Sequence, residues 1–281
     1  MTVRDRGMTA GLGKSRALRR LLIAVCAAVL GAGLLVALGG PFIADRVHGG
    51  PDRTLGASYL PSSAHDPLGT DYLGRDVAAR VLAGGATIVV IPLIAVILAE
   101  AVGVLAGIWF AQTRRSERLT RYLLDVVLVV PPAVSLLVVL TASGTNPLGL
   151  ILLVLMISLP FVSRYAQALA TPLVSSGFVA AAQARGDSTA RVMVCEILPN
   201  LIVPVAADLG TRFVGAVYLV ATASFLGAAT LDGTANWASM VQQNAAGLAL
   251  NPWSVAAPAA MIAVITIPAN ILADIYLERR R

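Results

Sequence analysis

Long apolar runs separated by shorter polar segments dominate the chain. A helix that crosses a bilayer needs about 20 predominantly apolar residues. Six runs approach or exceed that length: 21–40, 86–111, 122–142, 147–163, 201–227 and 253–275. The fourth run is the shortest, and the fifth contains Asp208 and Arg212 but is otherwise apolar. The pattern predicts an all-α polytopic membrane protein with six transmembrane helices.

The polar segments divide the chain into successive parts. The first apolar run is about twenty residues long and exceeds the apolar part of a cleaved signal peptide, so we interpret it as a membrane helix. The segment after it is rich in Gly, Pro, Asp and Ser and reads as a loop followed by a short helix near 74–84. The predicted parts are a flexible basic tail at 1–20, a first helix at 21–40, an outside loop at 41–85, a five-helix core at 86–275 and a tail at 276–281.

Composition and the distribution of basic residues support this topology. The chain is 57% hydrophobic and only 13% charged, against about 25% charged residues in soluble domains. Of the 21 Lys and Arg residues, sixteen fall in the segments that alternation places on one side, whereas the 41–85 loop has four basic against five acidic residues. Because basic residues favour the cytoplasmic side, both termini are predicted to be cytoplasmic. Topology thus explains the net charge of +6, which argues against nucleic-acid binding.

The residues give little support for a metal site, a nucleotide-binding site or a catalytic nucleophile. Cys26 and Cys195 lie far apart and His48 and His65 stand alone, so we expect neither a metal site nor a disulfide scaffold. The "GLGKS" at 11–15 lacks the first glycine that a phosphate-binding loop requires, and no strand precedes it. No nucleophile with an adjacent base is visible.

Charged residues inside the apolar runs are the candidates for polar function. A charge at the bilayer centre costs at least about 2.5 kcal/mol, so each should face protein or water, or lie near an interface. Asp208 and Arg212 are spaced i, i+4, and we favour a structural pair on one helix face over a transport role. Asp125 lies near a cytoplasmic end and could remain hydrated. Glu100 lies deepest and is the best candidate for a functional group or an interhelix hydrogen bond.

The segment "FVAAAQARGDSTARVMVCEILPN", residues 178–200, interrupts the apolar pattern. Its alanine-rich start favours a helix, and Gly186 permits a bend because glycine adopts backbone angles that other residues resist. Asp187 or Ser188 can cap a second short helix, and Pro199 marks the start of the fifth span. The pattern predicts a helix–bend–helix on the cytoplasmic surface. It is compatible both with a lever that transmits an external push and with a simple connector.

This segment resembles the EAA loop of ABC importer permeases. That pattern is Glu-Ala-Ala, three residues, Gly, and about ten residues later Ile-Leu-Pro. The chain supplies Ala181, Ala182, Gly186, Ile197, Leu198 and Pro199 at the spacing of the peptide-importer branch, followed by that branch's Asn200. Ala180 replaces the Glu, which in the family can pair with a basic residue of the ATPase.

Further stretches over roughly residues 66–274 are similar to the same family in order. They are "DPLGTDYLGRDVAARVLAGG" from Asp66, "DVVLVVPPAVSL" from Asp125, "ASFLG" from Ala223 with Trp237, Met240 and "NPW" after it, and "ANILAD" from Ala269. Asp66 stands where the family has His, and Val220 stands where members often carry Glu. The order resembles the second, C-type permease of dipeptide, oligopeptide or nickel importers.

The resemblance implies a type I ABC importer permease fold in the bacterial plasma (inner) membrane. It implies a second homologous permease, two ATPases that carry ATP and Mg, a solute-binding protein outside, and no cofactor or catalytic residue in this chain. The implied coupling loop spans about 171–199. Its implied ATPase-coupling residues are Ala181, Ala182, Gly186, Asp187, Ser188, Ile197, Leu198 and Pro199.

Several alternatives stay open from the residues. The solute can be a dipeptide, an oligopeptide, glutathione, nickel or a metal chelate. Glu100, Asp125, Asp208 and Arg212 are possible pathway or intramembrane polar residues. A different class of function is an ATP-independent channel or secondary transporter, or an intramembrane enzyme that uses Glu100 or Asp125.

Overall fold

The computed structural model describes residues 3–46, 49–113, 131, 134–136, 138, 146–225 and 235–278, with side chains from residue 18 to residue 275 within these ranges. This part of the chain is mostly helical, and two isolated β-bridges join its extended segments. The elements are α1 (Val3–Ala44), α2 (Val77–Ala83), α3 (Ala86–Gln112), α4 (Pro147–Val174), α5 (Gly177–Ala184), α6 (Thr189–Arg191), a π-helical segment (Val192–Ile197), α7 (Leu198–Phe225), α8 (Trp237–Asn244), a 3₁₀ turn (Ala245–Gly247) and α9 (Trp253–Glu278).

Five helical stretches among the described residues are long and apolar enough to cross a membrane. They are Leu18–Ala44, Val77–Gln112, Pro147–Val174, Thr189–Phe225 and Trp253–Ile275, and they correspond to five of the six predicted spans. The predicted third span, 122–142, lies almost entirely outside the described residues. The prediction of an all-α polytopic protein is confirmed.

Two boundaries differ from the sequence prediction. The fourth span continues to Val174 rather than ending near residue 163. Residues 3–20, predicted as a flexible tail, instead form the beginning of α1. Eleven of these eighteen residues are Ala, Leu, Met, Lys or Arg, which are strong helix formers, and the segment has no proline, although Gly7, Gly11 and Gly13 oppose the helix. A basic character alone does not indicate flexibility.

Close packing of α3 against α4 organises the centre of the bundle. A Cβ atom built on Gly103 would lie 2.7 Å from Val162 Cβ, and one on Gly107 would lie 2.7 Å from Ala166 Cβ. Small residues spaced by four let two membrane helices approach closely and gain van der Waals contact. These glycines are therefore required by the approach of α4.

Apolar clusters fill the bundle along its length. In one of them, Val96 of α3, Leu153 of α4 and Val220 of α7 meet in a group that also includes Leu136. Val220 is fully buried there. The position where relatives were expected to carry Glu therefore serves helix packing in this chain.

A second cluster surrounds Trp237 at the end of the bundle where α2 and α8 lie. Trp237 is fully buried, and its Nε1–H donates to Val81 O at 2.6 Å. At the opposite end, Arg19 of α1 donates to Ile275 O of α9 at 2.8 Å. α1 is therefore attached to the bundle at both ends.

Candidate functional site

The predicted bend at Gly186 is present and joins α5 to α6. Gly186 has φ +85°, its N–H donates to Gln183 O at 2.9 Å, and the Asp187 N–H donates to Ala182 O at 3.2 Å. This pair of bonds forms the helix-ending motif in which a left-handed residue, usually glycine, satisfies the last carbonyls. A Cβ at Gly186 would meet no atom within 4 Å, so the backbone angle alone calls for glycine here.

The second arm starts with a side-chain cap. Ser188 has an extended backbone, and its hydroxyl accepts a bond from the Arg191 N–H at 3.4 Å. Of the two cap candidates predicted from the sequence, Ser188 is the N-cap. The second arm does not stand alone as a short helix, because α6 continues through the π-helical segment into α7. A displacement of the bend therefore acts on one end of a continuous helix that crosses the bundle.

Ion pairs connect the two arms across the bend. Arg185 Nη2 lies 3.1 Å from Asp187 Oδ2 and 3.3 Å from Glu196 Oε1. Arg191 Nε lies 3.5 Å from Asp187 Oδ1. Asp187 thus accepts from an arginine on each side, and its side chain is 17% exposed although both arginines are largely exposed. The network stabilises the angle between α5 and the helix that follows.

One face of the bent segment packs onto the bundle. Val179, Ala182, Val192 and Ile197 are buried in a cluster with residues of α3, α4 and α7 such as Ile108. Burial of these side chains fixes the segment to the ends of α3 and α4, since each apolar group removed from water contributes roughly 25 cal/mol per Å². The bent segment is therefore part of the rigid bundle.

The opposite face of the bent segment is exposed and consists largely of small side chains. Phe178, Ala180, Ala181 and Ala184 are exposed on α5, followed by Gly186. Short side chains leave the helix backbone open to close approach by a partner. The Arg185 guanidinium, which is largely exposed, flanks this surface.

The structure separates the predicted coupling residues into three groups by burial. Ala182 and Ile197 are buried against the bundle and hold the segment in place. Asp187 and Leu198 are partly buried. The exposed ones, which a partner can reach, are Ala181, Gly186, Ser188 and Pro199.

Sequence reasoning missed the π-helical segment directly ahead of α7. The Leu198 N–H donates to Met193 O, five residues back, as π geometry requires. Pro199 is the physical reason: its ring lacks an N–H and clashes with the carbonyl four residues earlier, and a wider turn relieves that clash. The Asn200 side chain donates to Glu196 O at 2.7 Å, which satisfies a carbonyl in this turn. π-helical turns of this kind are frequent at functional sites.

The predicted pairing of Asp208 with Arg212 is confirmed. Arg212 Nε donates to Asp208 Oδ2 within α7, and the same nitrogen lies 3.5 Å from Glu100 Oε1 of α3. Glu100 thus joins an interhelix ion pair, but the predicted interhelix hydrogen bond is not formed, because neither of its carboxylate oxygens has a hydrogen-bond partner among the described residues. Asp125, the fourth candidate, lies outside the described residues.

At the end of the bundle opposite Gly186, two segments far apart in sequence meet. The Asn251 amide donates to Leu68 O at 2.9 Å and to Thr70 O at 3.0 Å. Asn244 Oδ1 accepts from the Tyr72 N–H at 2.9 Å. Nearby, Asp71 is buried and pairs with Arg75 and Arg80. The two sequence motifs at 66–85 and 237–253 are therefore joined by hydrogen bonds into one polar cap.

No group of His, Cys, Asp and Glu residues that could hold a metal ion occurs in the described ranges. The two cysteines are free, with Cys26 buried and Cys195 exposed.

Comparison with known proteins gives the same picture. A putative peptide transport system permease protein of Brucella suis is 29% identical over 255 residues, covering 90% of this chain and 82% of the relative. A probable D,D-dipeptide transport system permease protein of Escherichia coli K12 is 27% identical over 242 residues, covering 86% and 80%. A di/tripeptide transport system permease protein of Pseudomonas aeruginosa is 26% identical over 209 residues, covering 74% and 69%.

The family comparison covers more than half of the chain. Residues 103–281 match the family described as binding-protein-dependent transport system inner membrane component. This range contains the bent segment around Gly186, α7 and α9, and it confirms the resemblance to importer permeases. The family is one of transport components, in agreement with the prediction of a non-enzymatic subunit. The chain belongs to the family of inner membrane components of binding-protein-dependent transport systems.

Proposed function

We propose that this chain is one of two permease subunits of an ATP-driven importer for peptides or related small solutes. In this proposal, the bent segment around Gly186 docks on a cytoplasmic ATPase, and a second permease completes the translocation path. A solute-binding protein delivers the solute at the end that carries the 66–85 segment. ATP and Mg bind to the ATPases, and this chain supplies no cofactor site.

The observation that carries the proposal is the construction of the bent segment. Its inner face is buried against α3 and α4, its outer face presents small exposed side chains, and its second arm continues into α7. A force applied to the outer face reaches three spanning helices through covalent continuity and packed contacts. Tightly packed interiors have low compressibility and transmit strain.

The distribution of basic residues supports a cytoplasmic position for this segment. Arg164 in the second half of α4, together with Arg185 and Arg191 at the bend, lies toward the end of the bundle that alternation places on the same side as both termini. Lys and Arg concentrate on the cytoplasmic side of membrane proteins. With both termini in the cytoplasm, the cap formed by Asn251 and its partners lies outside, where a binding protein can reach it.

Ala180 stands where the family usually has an acidic residue, but the docking surface still carries charged side chains. Ala180 is exposed on α5, while Arg185, Asp187 and Glu196 form an ion-pair network at the adjacent bend. We infer that electrostatic contact with the ATPase is made through this network instead. Packing of the small outer face supplies the remaining contact.

The peptide class rests on the relatives. The three relatives described above carry names for peptide, D,D-dipeptide and di/tripeptide transport, and each aligns over most of its own length. Transport then follows from exchange between inward- and outward-open arrangements of the spanning helices. ATP drives this exchange only because the two arrangements differ in their affinity for nucleotide and solute.

Reconstitution tests the proposal. The chain is placed in vesicles with its second permease and ATPases, and uptake of a radiolabelled dipeptide is measured with the binding protein present. Uptake should require all partners and hydrolysable ATP. Uptake by the chain without ATPases would instead identify a channel or secondary transporter, and catalytic turnover by the isolated chain would identify an enzyme.

A further inference from the structure

The charged cluster of Glu100, Asp208 and Arg212 lies near the middle of two spanning helices. Glu100 is the fifteenth of the 27 residues of α3, and Arg212 is the fifteenth of the 28 residues of α7. The site is therefore remote from both aqueous surfaces along each helix. Ionisable residues at this depth are costly and mark functional sites by default.

This cluster contains more carboxyl groups than guanidinium groups. One guanidinium faces two carboxylates, because Arg212 pairs with both Asp208 and Glu100. The Glu100 side chain is only 6% exposed, and neither of its carboxylate oxygens accepts a hydrogen bond from the described residues. A buried, incompletely paired carboxylate carries a strong preference for a further cationic partner.

An open cavity of about 290 Å³ lies beside the cluster, between α4 and α7. Asp208 and Arg212 form part of its wall together with Ser158, Phe161 and Thr211. The Arg212 guanidinium carbon lies 5.9 Å from the centre of the Phe161 ring, so the aromatic face already attracts a cation. The cavity wall thus combines the Asp208–Arg212 ion pair, hydroxyls and an aromatic ring.

We propose that this cavity is a subsite of the translocation path that binds the ammonium group of a passing solute. The proposal rests on the proposed function of the chain as an importer permease. Asp208 lines the cavity and belongs to a cluster with one more carboxylate than guanidinium groups. A carboxylate-bearing solute end is disfavoured there, since the single arginine is already matched.

Charge-selective modification of an introduced thiol tests the subsite in the assembled complex. Thr211 lines the cavity and is exposed, so Thr211→Cys is made in a Cys195→Ser background. Two methanethiosulfonate reagents of similar size, one with a trimethylammonium group and one with a sulfonate group, are compared. Their rates are normalised to those with a small free thiol in solution.

The cationic reagent should react about tenfold faster than the anionic one, because an excess charge several ångströms away contributes more than 1 kcal/mol at an intermediate dielectric. Glu100→Gln and Asp208→Asn each remove the excess charge and should bring the ratio close to one. If one of these two variants fails to assemble, the other one alone still tests the proposal. Asp45→Asn, which removes an exposed carboxylate directly after α1, is the matched control and should keep the original ratio.

The proposal is overturned if neither reagent reacts, if the anionic reagent reacts at least as fast, or if both cavity variants keep the original ratio. Competition by solutes distinguishes a binding site from a purely electrostatic effect on the two reagents. Alanyl-alanine amide, which is cationic, should slow the modification, whereas N-acetyl-alanyl-alanine should not; equal effects of the two overturn the proposal. Solute-stimulated ATP hydrolysis is measured on the same complex. If the parent protein shows no stimulation by solute, the permease role itself is contradicted.

Discussion

Replacing Gly186 by proline tests whether the bend geometry carries mechanical coupling. Proline fixes φ near −65°, whereas Gly186 has φ +85°. The substitution also removes the N–H that donates to Gln183 O at 2.9 Å. The bend cannot be retained with proline at this position, so α5 and the helix into α7 must change their relative direction.

A series of substitutions at residue 186 shows how large the energetic cost of changing the bend should be. Gly186→Ala has no steric cost because a Cβ there meets nothing within 4 Å, and only the left-handed backbone angle opposes it, by roughly 1–2 kcal/mol. Gly186→Asn should cost less than alanine, since asparagine visits this region more readily. Gly186→Pro adds the lost hydrogen bond, a net contribution of about 1 kcal/mol, to an angle that the ring cannot adopt.

The assay is solute-stimulated ATP hydrolysis by the reconstituted complex. We expect stimulation to decrease in the order glycine, asparagine, alanine and proline, and to be absent in the proline variant while the chain remains inserted. Membrane insertion and assembly are checked by size-exclusion chromatography. Basal hydrolysis by the ATPases should persist in every variant, because the change lies in the permease.

Gly177 provides the matched control within the same segment. It is the first residue of α5, where proline is tolerated because the N–H has no intrahelical partner. Ser176 before it is extended, at φ −77° and ψ 154°, as a residue preceding proline prefers. Gly177→Pro should therefore keep solute-stimulated hydrolysis near that of the parent protein. Normal stimulation in Gly186→Pro would refute the coupling role of the bend.

Three further substitutions and two matched comparison variants are measured by thermal unfolding of the purified complex. Gly107→Leu should destabilise it by about 1–3 kcal/mol through overpacking, whereas Gly31→Leu, where no atom lies within 4 Å, should have little effect; equal shifts would contradict the close α3–α4 contact. Asn251→Ala removes the donor to two buried carbonyls and should cost about 1–3 kcal/mol, and an unchanged midpoint would argue against the polar cap. Arg212→Met leaves two carboxylates without a cation and should cost about 3–5 kcal/mol, but Asp208→Asn retains the interhelix pair and should cost much less; the reverse order would contradict the ion-pair assignment.

Much of the bundle follows from apolar periodicity and charge. Runs of about twenty apolar residues predicted all five crossing helices found among the described residues, because lipid requires each crossing segment to satisfy its own backbone hydrogen bonds. The extent of each helix beyond the lipid did not follow. α4 continues to Val174 and α1 begins at Val3 because helix propensity, rather than hydropathy, decides where a helix ends outside the bilayer.

The bend itself was predictable, whereas its surroundings were only partly so. Gly186 and the Ser188 cap follow from local backbone chemistry, which depends on neighbouring residues. The burial of Ile197 and the Glu100–Arg212 pair depend on which helix faces come together. The π-helical segment had one usable signal, since Pro199 predicts a disturbed turn before it. The chain continues through this segment into α7 instead of breaking at Pro199, and that outcome depends on tertiary packing.

The central claim is that the outer face of the bent segment contacts an ATPase in the cytoplasm. Ala181 is exposed on that face, and Ser62 is exposed at the opposite end of the bundle. Single cysteines at these positions, in a Cys195→Ser background, are labelled with a membrane-impermeant maleimide in sealed vesicles of known orientation and then crosslinked in the complex. The account predicts that Ala181→Cys is labelled only from the cytoplasmic side and crosslinks to an ATPase, while Ser62→Cys is labelled only from outside. Labelling of Ala181→Cys from outside, or the absence of any crosslink to an ATPase, would contradict it.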